Sequence, residues 1–234
     1  SNLIDFKFEN FSDIKVLSDG FDIQEAIESS YNLNGKENII IIVRSNKRAN
    51  QYNQQIRKTI LSHENKVCVG DLLMITKNNY FWTSPDSEIP FLANGDIIQI
   101  LEIFSIKELY GFEFAEVKIK MVDYIDQPTF DTVIILSTLD LDTPSLSYEQ
   151  SNLLYNEVQN DYIKIKSKYQ RFLKTKENPF FNALQVKFSY AITCHKAQGG
   201  QWPVVFIEKP YLKDGSNIDY LRWLYTAVTR AESK

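Results

Sequence analysis

The chain has only two cysteines in 234 residues, Cys68 and Cys194, far apart in sequence. That excludes a disulfide framework and points to a reducing compartment, here the cytoplasm. It also lacks any apolar run long enough to cross a bilayer, and no basic region followed by an apolar core comes after Ser1-Asn2-Leu3. Neither a membrane span nor a secretory leader is therefore expected. Excess positive charge is missing as well, since 26 Lys and Arg against 30 Asp and Glu leave a net charge of −4. A protein that wraps duplex DNA by bulk electrostatics is disfavoured, whereas a narrow basic groove is still compatible. What is present is a hydrophobic fraction of 44% and a charged fraction of 24%, the balance of a folded chain with one large domain or two small ones.

The charges are unevenly spread. Lys164, Lys166, Lys168, Arg171, Lys174 and Lys176 follow one another with no acid between Tyr162 and Lys176. Such a run reads either as a solvated helix face or as a patch that faces phosphates. Nearer the start, Asp22 with Glu25 three residues on suggests a capping box that opens a helix ending near Gly35. The Ile-rich residues 38–43 predict a strand buried on both faces. It leads through Arg44-Ser45-Asn46-Lys47-Arg48 into a helix predicted over 49–61, with Tyr52, Ile56 and Ile60 on one side. Strand, polar turn and helix form the repeating unit of a parallel α/β sheet, whose ligands sit at the carboxyl ends of its strands. Ser45 and Asn46 can cap that helix and can also offer hydroxyl, amide and main-chain donors to a phosphate.

Residues 66–141 have a different texture. Strands are predicted over 67–76, 96–106, 112–122 and 132–137, which suggests a small antiparallel barrel inserted into the α/β unit. Between the first two, Lys77-Asn78-Asn79-Tyr80-Phe81-Trp82 interleaves a cation, amides and aromatics. Bases stack on rings while Lys meets phosphate, so this is a combination suited to single-stranded nucleic acid; the same rings can instead fold back onto the open end of a barrel. Ser147 and Gln150 form another capping box, opening a helix that carries the basic run to about Lys174. Strands over 184–192 and 204–207, a polar loop over 210–218 and a closing helix over 220–230 complete the chain.

Chemistry concentrates in residues 191–202, Ala-Ile-Thr-Cys-His-Lys-Ala-Gln-Gly-Gly-Gln-Trp, a polar segment between two apolar strands. Thr193, His195, Lys196 and Gln198 can together reach a phosphate backbone, and Gly199-Gly200 lets main chain approach a ligand. The alternative is a plain strand-to-helix turn with a C-terminal glycine. Cys194 reads as a small buried packing residue rather than a nucleophile.

A second motif follows some thirty residues on, Leu224-Tyr225-Thr226-Ala227-Val228-Thr229-Arg230-Ala231. The pair, in this order, closely resembles motifs V and VI of superfamily 1 helicases, and the His-Lys-Ala-Gln-Gly form resembles the RecD and Dda branch. The inserted β module fits that branch, and Gly70-Asp71 with Asn94-Gly95-Asp96 resembles the framing turns of its barrel. The fold class implied is α/β, a RecA-like second motor domain of the P-loop NTPase type with a parallel sheet, interrupted by a small SH3-like antiparallel barrel. The expected organisation is 1–66 and 181–234 as the two parts of the RecA-like domain, 67–146 as the barrel and 147–180 as a helical connection.

The resemblance implies that Arg230 is an arginine finger reaching the γ-phosphate of ATP, a task suited to a permanently charged planar fork. An Arg near a helix C-terminus can also simply meet the helix dipole. Gly199, Gly200 and Gln201 would face ATP with Arg230; Gln201 stands where many relatives carry an acid, and its amide can bond a ribose hydroxyl without bringing charge. Thr193, His195 and Lys196 would contact single-stranded DNA, together with Ser45, Asn46 and Lys77. His195 is not read as a general base, since no partner nucleophile is indicated, nor as a metal ligand.

The chain lacks Gly-x-x-x-x-Gly-Lys followed by Ser or Thr, for Gly35-Lys36 precedes Glu37, and no acidic motif of the Walker B kind follows an apolar strand. Without them the chain is not expected to hydrolyse ATP by itself. It looks like the carboxy-terminal half of a DNA helicase that shares ATP and Mg²⁺ with a missing N-terminal motor domain, tracks single-stranded DNA and works beside recombination or repair proteins. The rival expectation is a non-catalytic module with a helicase-like fold that holds nucleic acid or protein. A phosphate loop encoded upstream would decide between them.

Overall fold

The computed structural model describes residues 11–210 and 217–232. The extended pieces at the start of the chain and the polar loop expected over 210–218 thus fall largely outside the described residues. The chain divides into two compact units, one formed by Ser1–Ile60 with Tyr190–Lys234 and one by Leu61–Ser189. Among the described residues no helix is long and apolar enough to cross a membrane.

The first unit is built on a parallel three-stranded sheet. β1 (Ile39–Val43) lies between β7 (Ala191–Thr193) and β8 (Val204–Ile207). All five β1 residues are buried, as a central strand covered on both faces requires. α1 (Gly20–Asn34), α2 (Asn46–Thr59) and α5 (Ile218–Val228) belong to the same unit. α1 begins one turn earlier than the Asp22 box predicts, because the Asp19 carboxylate accepts from the amides of Phe21 (2.8 Å) and Asp22 (3.4 Å). Asp19 and Asp22 are three residues apart, as are Asp22 and Glu25, so the spacing alone fits either start. Gly35 closes the helix as expected, at a φ of 77° that favours glycine.

The second unit is a closed five-stranded barrel ordered β2 (Leu72–Ile75), β3 (Ile97–Leu109), β4 (Phe112–Met121), β5 (Thr129–Ile135) and β6 (Leu184–Phe188). Tyr110 and Gly111, both at positive φ, join β3 to β4 in the two-residue turn whose twist suits a hairpin. The barrel is not wholly antiparallel as predicted: β5 and β6 pair in parallel, Ile134 opposite Leu184. The chain leaves β5 through α3 (Tyr148–Asn160) and α4 (Lys168–Lys176) before returning as β6, the long crossover that a parallel neighbour needs. Residues 147–180 are accordingly part of this unit. Leu146, Leu154, Val158 and Ala183 share one buried cluster with Phe112, Phe114, Val133 and Ile135 of the barrel.

Two predicted elements divide in the structure. The strand over 184–192 becomes β6 in the barrel and β7 in the parallel sheet, with the Ser189 amide donating to Leu72 O (3.1 Å) and Tyr190 O accepting from the Ile41 amide (3.0 Å). The helix carrying the basic run breaks after α3, because the Ser167 hydroxyl accepts from the Gln170 amide (3.3 Å) and caps a new helix.

Candidate functional site

The parallel sheet fixes where its loops emerge. Val43 pairs with Thr193 at the carboxyl ends of β1 and β7, and the Cys194 amide donates to Val43 O at 3.2 Å. Ser45 follows two residues later, exposed, its hydroxyl accepting from the Arg48 amide at 3.2 Å as the cap of α2, and Asn46 is the first residue of that helix. Ser45, Asn46, Thr193, His195 and Lys196 therefore gather at one end of the sheet. His195 is exposed, whereas Thr193 and Lys196 are half-buried, and burial lowers the Lys196 pKa from its ordinary value. Main-chain bonds from Lys196 (2.9 Å) and Ala197 (3.1 Å) to Thr193 O fold the segment into a tight turn. An acid shares this edge: Glu208, at the end of β8, accepts from Arg48 Nε at 2.8 Å and Tyr52 Oη at 3.3 Å, and this bond raises the Arg48 pKa. Arg48 is thus committed to a carboxylate.

Because β7 and β8 both run parallel to β1, residues 194–203 must return from the carboxyl end of one strand to the amino end of the other. Gly199 makes the reversal at a φ of 93°. A Cβ on Gly200 would lie 2.3 Å from the Trp202 ring, so glycine there is what lets the indole pack on the main chain. This return joins the segment to the end of α5. The Trp202 amide donates to Arg230 O (2.9 Å), the Glu232 amide donates to Trp202 O (3.0 Å), and Trp202 pairs with Ala231 in a parallel bridge. Midway, Cys194 Sγ lies 3.5 Å from Trp223 O.

Arg230 closes the connection. Its Nη1 donates to Gly200 O (3.1 Å), its Nε to Thr226 O (3.1 Å) and its Nη2 to Thr229 Oγ1 (3.2 Å). Three of the five N–H donors of the fork thus meet acceptors on the two motifs themselves, and the bond to Thr226 O satisfies a carbonyl in the last turn of α5. Gly199 and Gln201 are exposed beside it. A guanidinium, a glycine turn and an amide fit a polyphosphate or a ribose. The segment from Ala191 to Ile207 contains no carboxylate to hold Mg²⁺. Cys194 is 3% exposed, and burial raises its thiol pKa against an opposing pull from Arg230, so it packs rather than attacks.

Lys77 belongs to the barrel unit and is exposed. Its loop divides between the two sequence readings. Trp82 folds back, its Nε1 donating to Asn182 O at 2.9 Å, while Tyr80 stays exposed and stacks on Phe91 with centroids 5.0 Å apart. In the same unit the ligand atoms of His63, Cys68 and Asp71 lie within 4.8 Å of one another. Both Asp71 oxygens are already occupied at 2.8 Å, one by His63 Nδ1 and one by the Cys68 amide, so the cluster locks a turn.

Two contributors escape a reading of the sequence. The buried Asn53 of α2 donates to Ala191 O (2.9 Å) and accepts from the Ala191 amide (2.7 Å), clamping β7 from the helix. Trp202 ties the glycine turn to α5, and its one signal is the Gly200-Gln201-Trp202 spacing. No curated protein matches the chain by sequence. A crystal structure of the Pif1 helicase from Candida albicans aligns over 83% of this chain at 12% identity and a TM-score of 0.39. The chain spans 42% of that helicase's length. Residues 188–234, which include β7, β8, α5 and both motifs, match the UvrD-like helicase C-terminal domain family.

Proposed function

We propose that the chain is the carboxy-terminal motor region of an ATP-dependent, RecD-like DNA helicase of superfamily 1, acting with a first motor domain that brings the phosphate loop and Mg²⁺. The observation that carries this reading is the hydrogen-bonded union of residues 193–202 with the end of α5 through Arg230, Gly200 and Trp202, inside the stretch that matches the helicase family. Bound between two motor domains, ATP would supply the phosphoanhydride that is cleaved, and its binding would draw the domains closed before that cleavage. In that closed state Arg230 would exchange the Gly200 and Thr226 carbonyls for the γ-phosphate while it is still attached, with Gly199, Gly200 and Gln201 lining the nucleotide. Moving Gly200 moves the turn that holds Thr193, His195 and Lys196, and these residues with Ser45 and Asn46 change their grip on the single strand. Lys77 is a further single-strand contact within the barrel unit, which is SH3-like in this reading. The unit made by residues 1–60 and 190–234 is its RecA-like domain.

The 234-residue chain alone is expected to bind single-stranded DNA weakly, with affinity falling steeply as salt rises, and to show no DNA-stimulated ATP hydrolysis. Robust hydrolysis by the purified chain would overturn this division of labour. The inward-turned fork of Arg230 favours one alternative, a non-catalytic binding module in which Arg230 merely locks the segment to α5.

A further inference from the structure

α4 is built the wrong way round for a helix that only covers a core. Among its nine residues only Thr175 is buried, while Tyr169 (70% exposed), Phe172 (42%) and Leu173 (38%) lie on one face at positions i, i+3 and i+4. Ile163, in the turn before it, is 65% exposed. Lysines surround these side chains, and residues 162–176 contain no acid. Two of the cations have local work. Lys174 pairs with Glu177 at 2.8 Å, and Lys176 lies over the rings of Phe172 (5.7 Å) and Phe181 (4.8 Å). Lys164, Lys166 and Lys168 are exposed and make no ion pair among the described residues.

The surface is also held in place. Ser167 caps α4, Thr175 Oγ1 bonds Arg171 O at 2.9 Å, and Asn182 Nδ2 bonds Lys176 O at 2.7 Å. Asn178, buried, donates to Tyr162 Oη at 3.1 Å and ties the end of α4 to the turn after α3. A ligand therefore meets a backbone whose ordering cost is already met on folding, and only the exposed side chains remain to be ordered.

We propose that this surface binds single-stranded nucleic acid, with phosphates on Lys164, Lys166 and Lys168 and a base stacked on Tyr169. Lysines interleaved with an exposed ring are what a single strand requires, since any base has a face to stack and any phosphate a charge to neutralise. A protein partner fits less well, because lysine is depleted from protein interfaces and here stands among the apolar groups. The inference shares with the proposed function the idea that this chain binds single strands, but it rests on a different unit and on residues outside the stretch that matches the helicase family.

The test uses the whole chain and a fluorescein-labelled oligothymidylate, with affinity read by anisotropy between about 50 and 200 mM salt. The double variant Lys166→Glu, Lys168→Glu is expected to bind at least about tenfold more weakly at low salt. Its plot of log affinity against log salt should be shallower by about 1.4, two phosphate contacts at about 0.7 each. Tyr169→Ala should lose about fivefold or more while Tyr169→Phe keeps the affinity, because a ring and not a hydroxyl is needed. These side chains are exposed, so the melting temperature should stay at that of the parent. The double variant Thr193→Ala, His195→Ala separates the two ideas. Loss of binding there, with none in the α4 variants, overturns the α4 surface, and is the result expected if a protein covers α4 instead. Loss in the α4 variants alone supports the surface and removes the track at the sheet end. Absence of binding by the parent at the lowest salt overturns both.

Discussion

Arg230 spends its donors on the chain that carries it, and that is the most informative fact at the scale of single residues. In the proposed role, a finger seated on the Gly200 and Thr226 carbonyls and the Thr229 hydroxyl would cost little to hold, since each bond would be replaced by another on a phosphate. Asn53 does the opposite, binding once and permanently to both polar groups of Ala191. Asn53→Asp keeps the acceptor for the Ala191 amide but cannot donate to its carbonyl, and should lower unfolding free energy by about 1–3 kcal/mol in urea titrations. An unchanged midpoint would refute the clamp. The thiols give a second check. Burial holds the Cys194 pKa above its ordinary value, so its thiolate is scarcer at neutral pH than that of an exposed cysteine, and the thiol is covered. In the folded chain a maleimide at pH 7.4 should label Cys68 and spare Cys194, as read by peptide mass. Local chemistry was legible at this scale: Ser45 caps α2 as its position after β1 implies, and Thr193 stands at a strand end. Asn53 was not, because its partner is 138 positions away and only the fold brings them together.

Among the elements, β1 was legible because five apolar β-branched residues in a row suit nothing but a doubly covered strand. The run over 184–192 was misread as one strand. Its first part, Leu-Gln-Val-Lys-Phe, alternates buried and half-buried residues as a barrel strand does, and Ser189-Tyr190 then hands the chain to a sheet of another kind. The alternation was in the sequence, but the change of sheet depends on β2, whose Leu72 receives the Ser189 amide. Lys187 of β6 bears a cost of this packing. Burial lowers its pKa from 10.5 to about 8, against the opposing pull of Asp140 and Asp142, and its ammonium donates to Leu139 O and Leu141 O. Below about pH 8 both folded and unfolded chains hold the proton, and the folded state carries the full cost of the buried charge. Between about 8 and 10.5 only the unfolded state holds it, so this residue's contribution to stability improves as pH rises. The stability advantage of Lys187→Met over the parent should therefore shrink from pH 7 to pH 10 in paired urea titrations, whatever its size at pH 7. A constant or widening gap would contradict the shift.

For the molecule as a whole, the two-unit division follows from one parallel and one mostly antiparallel hydrogen-bonding pattern, each with its own buried core. The barrel was legible as a class from its short strands; its parallel seam was not, because it depends on where the chain returns after α3 and α4. The proposed motor role places the decisive event on one side chain of this chain and a phosphate held by another domain. It is tested most directly by single-strand-stimulated ATP hydrolysis in the polypeptide that also contains the first motor domain, with Arg230 replaced. Arg230→Ala should lower turnover by about a thousandfold or more while oligothymidylate binding stays within about twofold of the parent, and Arg230→Lys should not restore it, because an ammonium cannot span two phosphate oxygens. Turnover by Arg230→Ala within about tenfold of the parent would contradict the assignment and leave Arg230 as the lock between the glycine turn and α5.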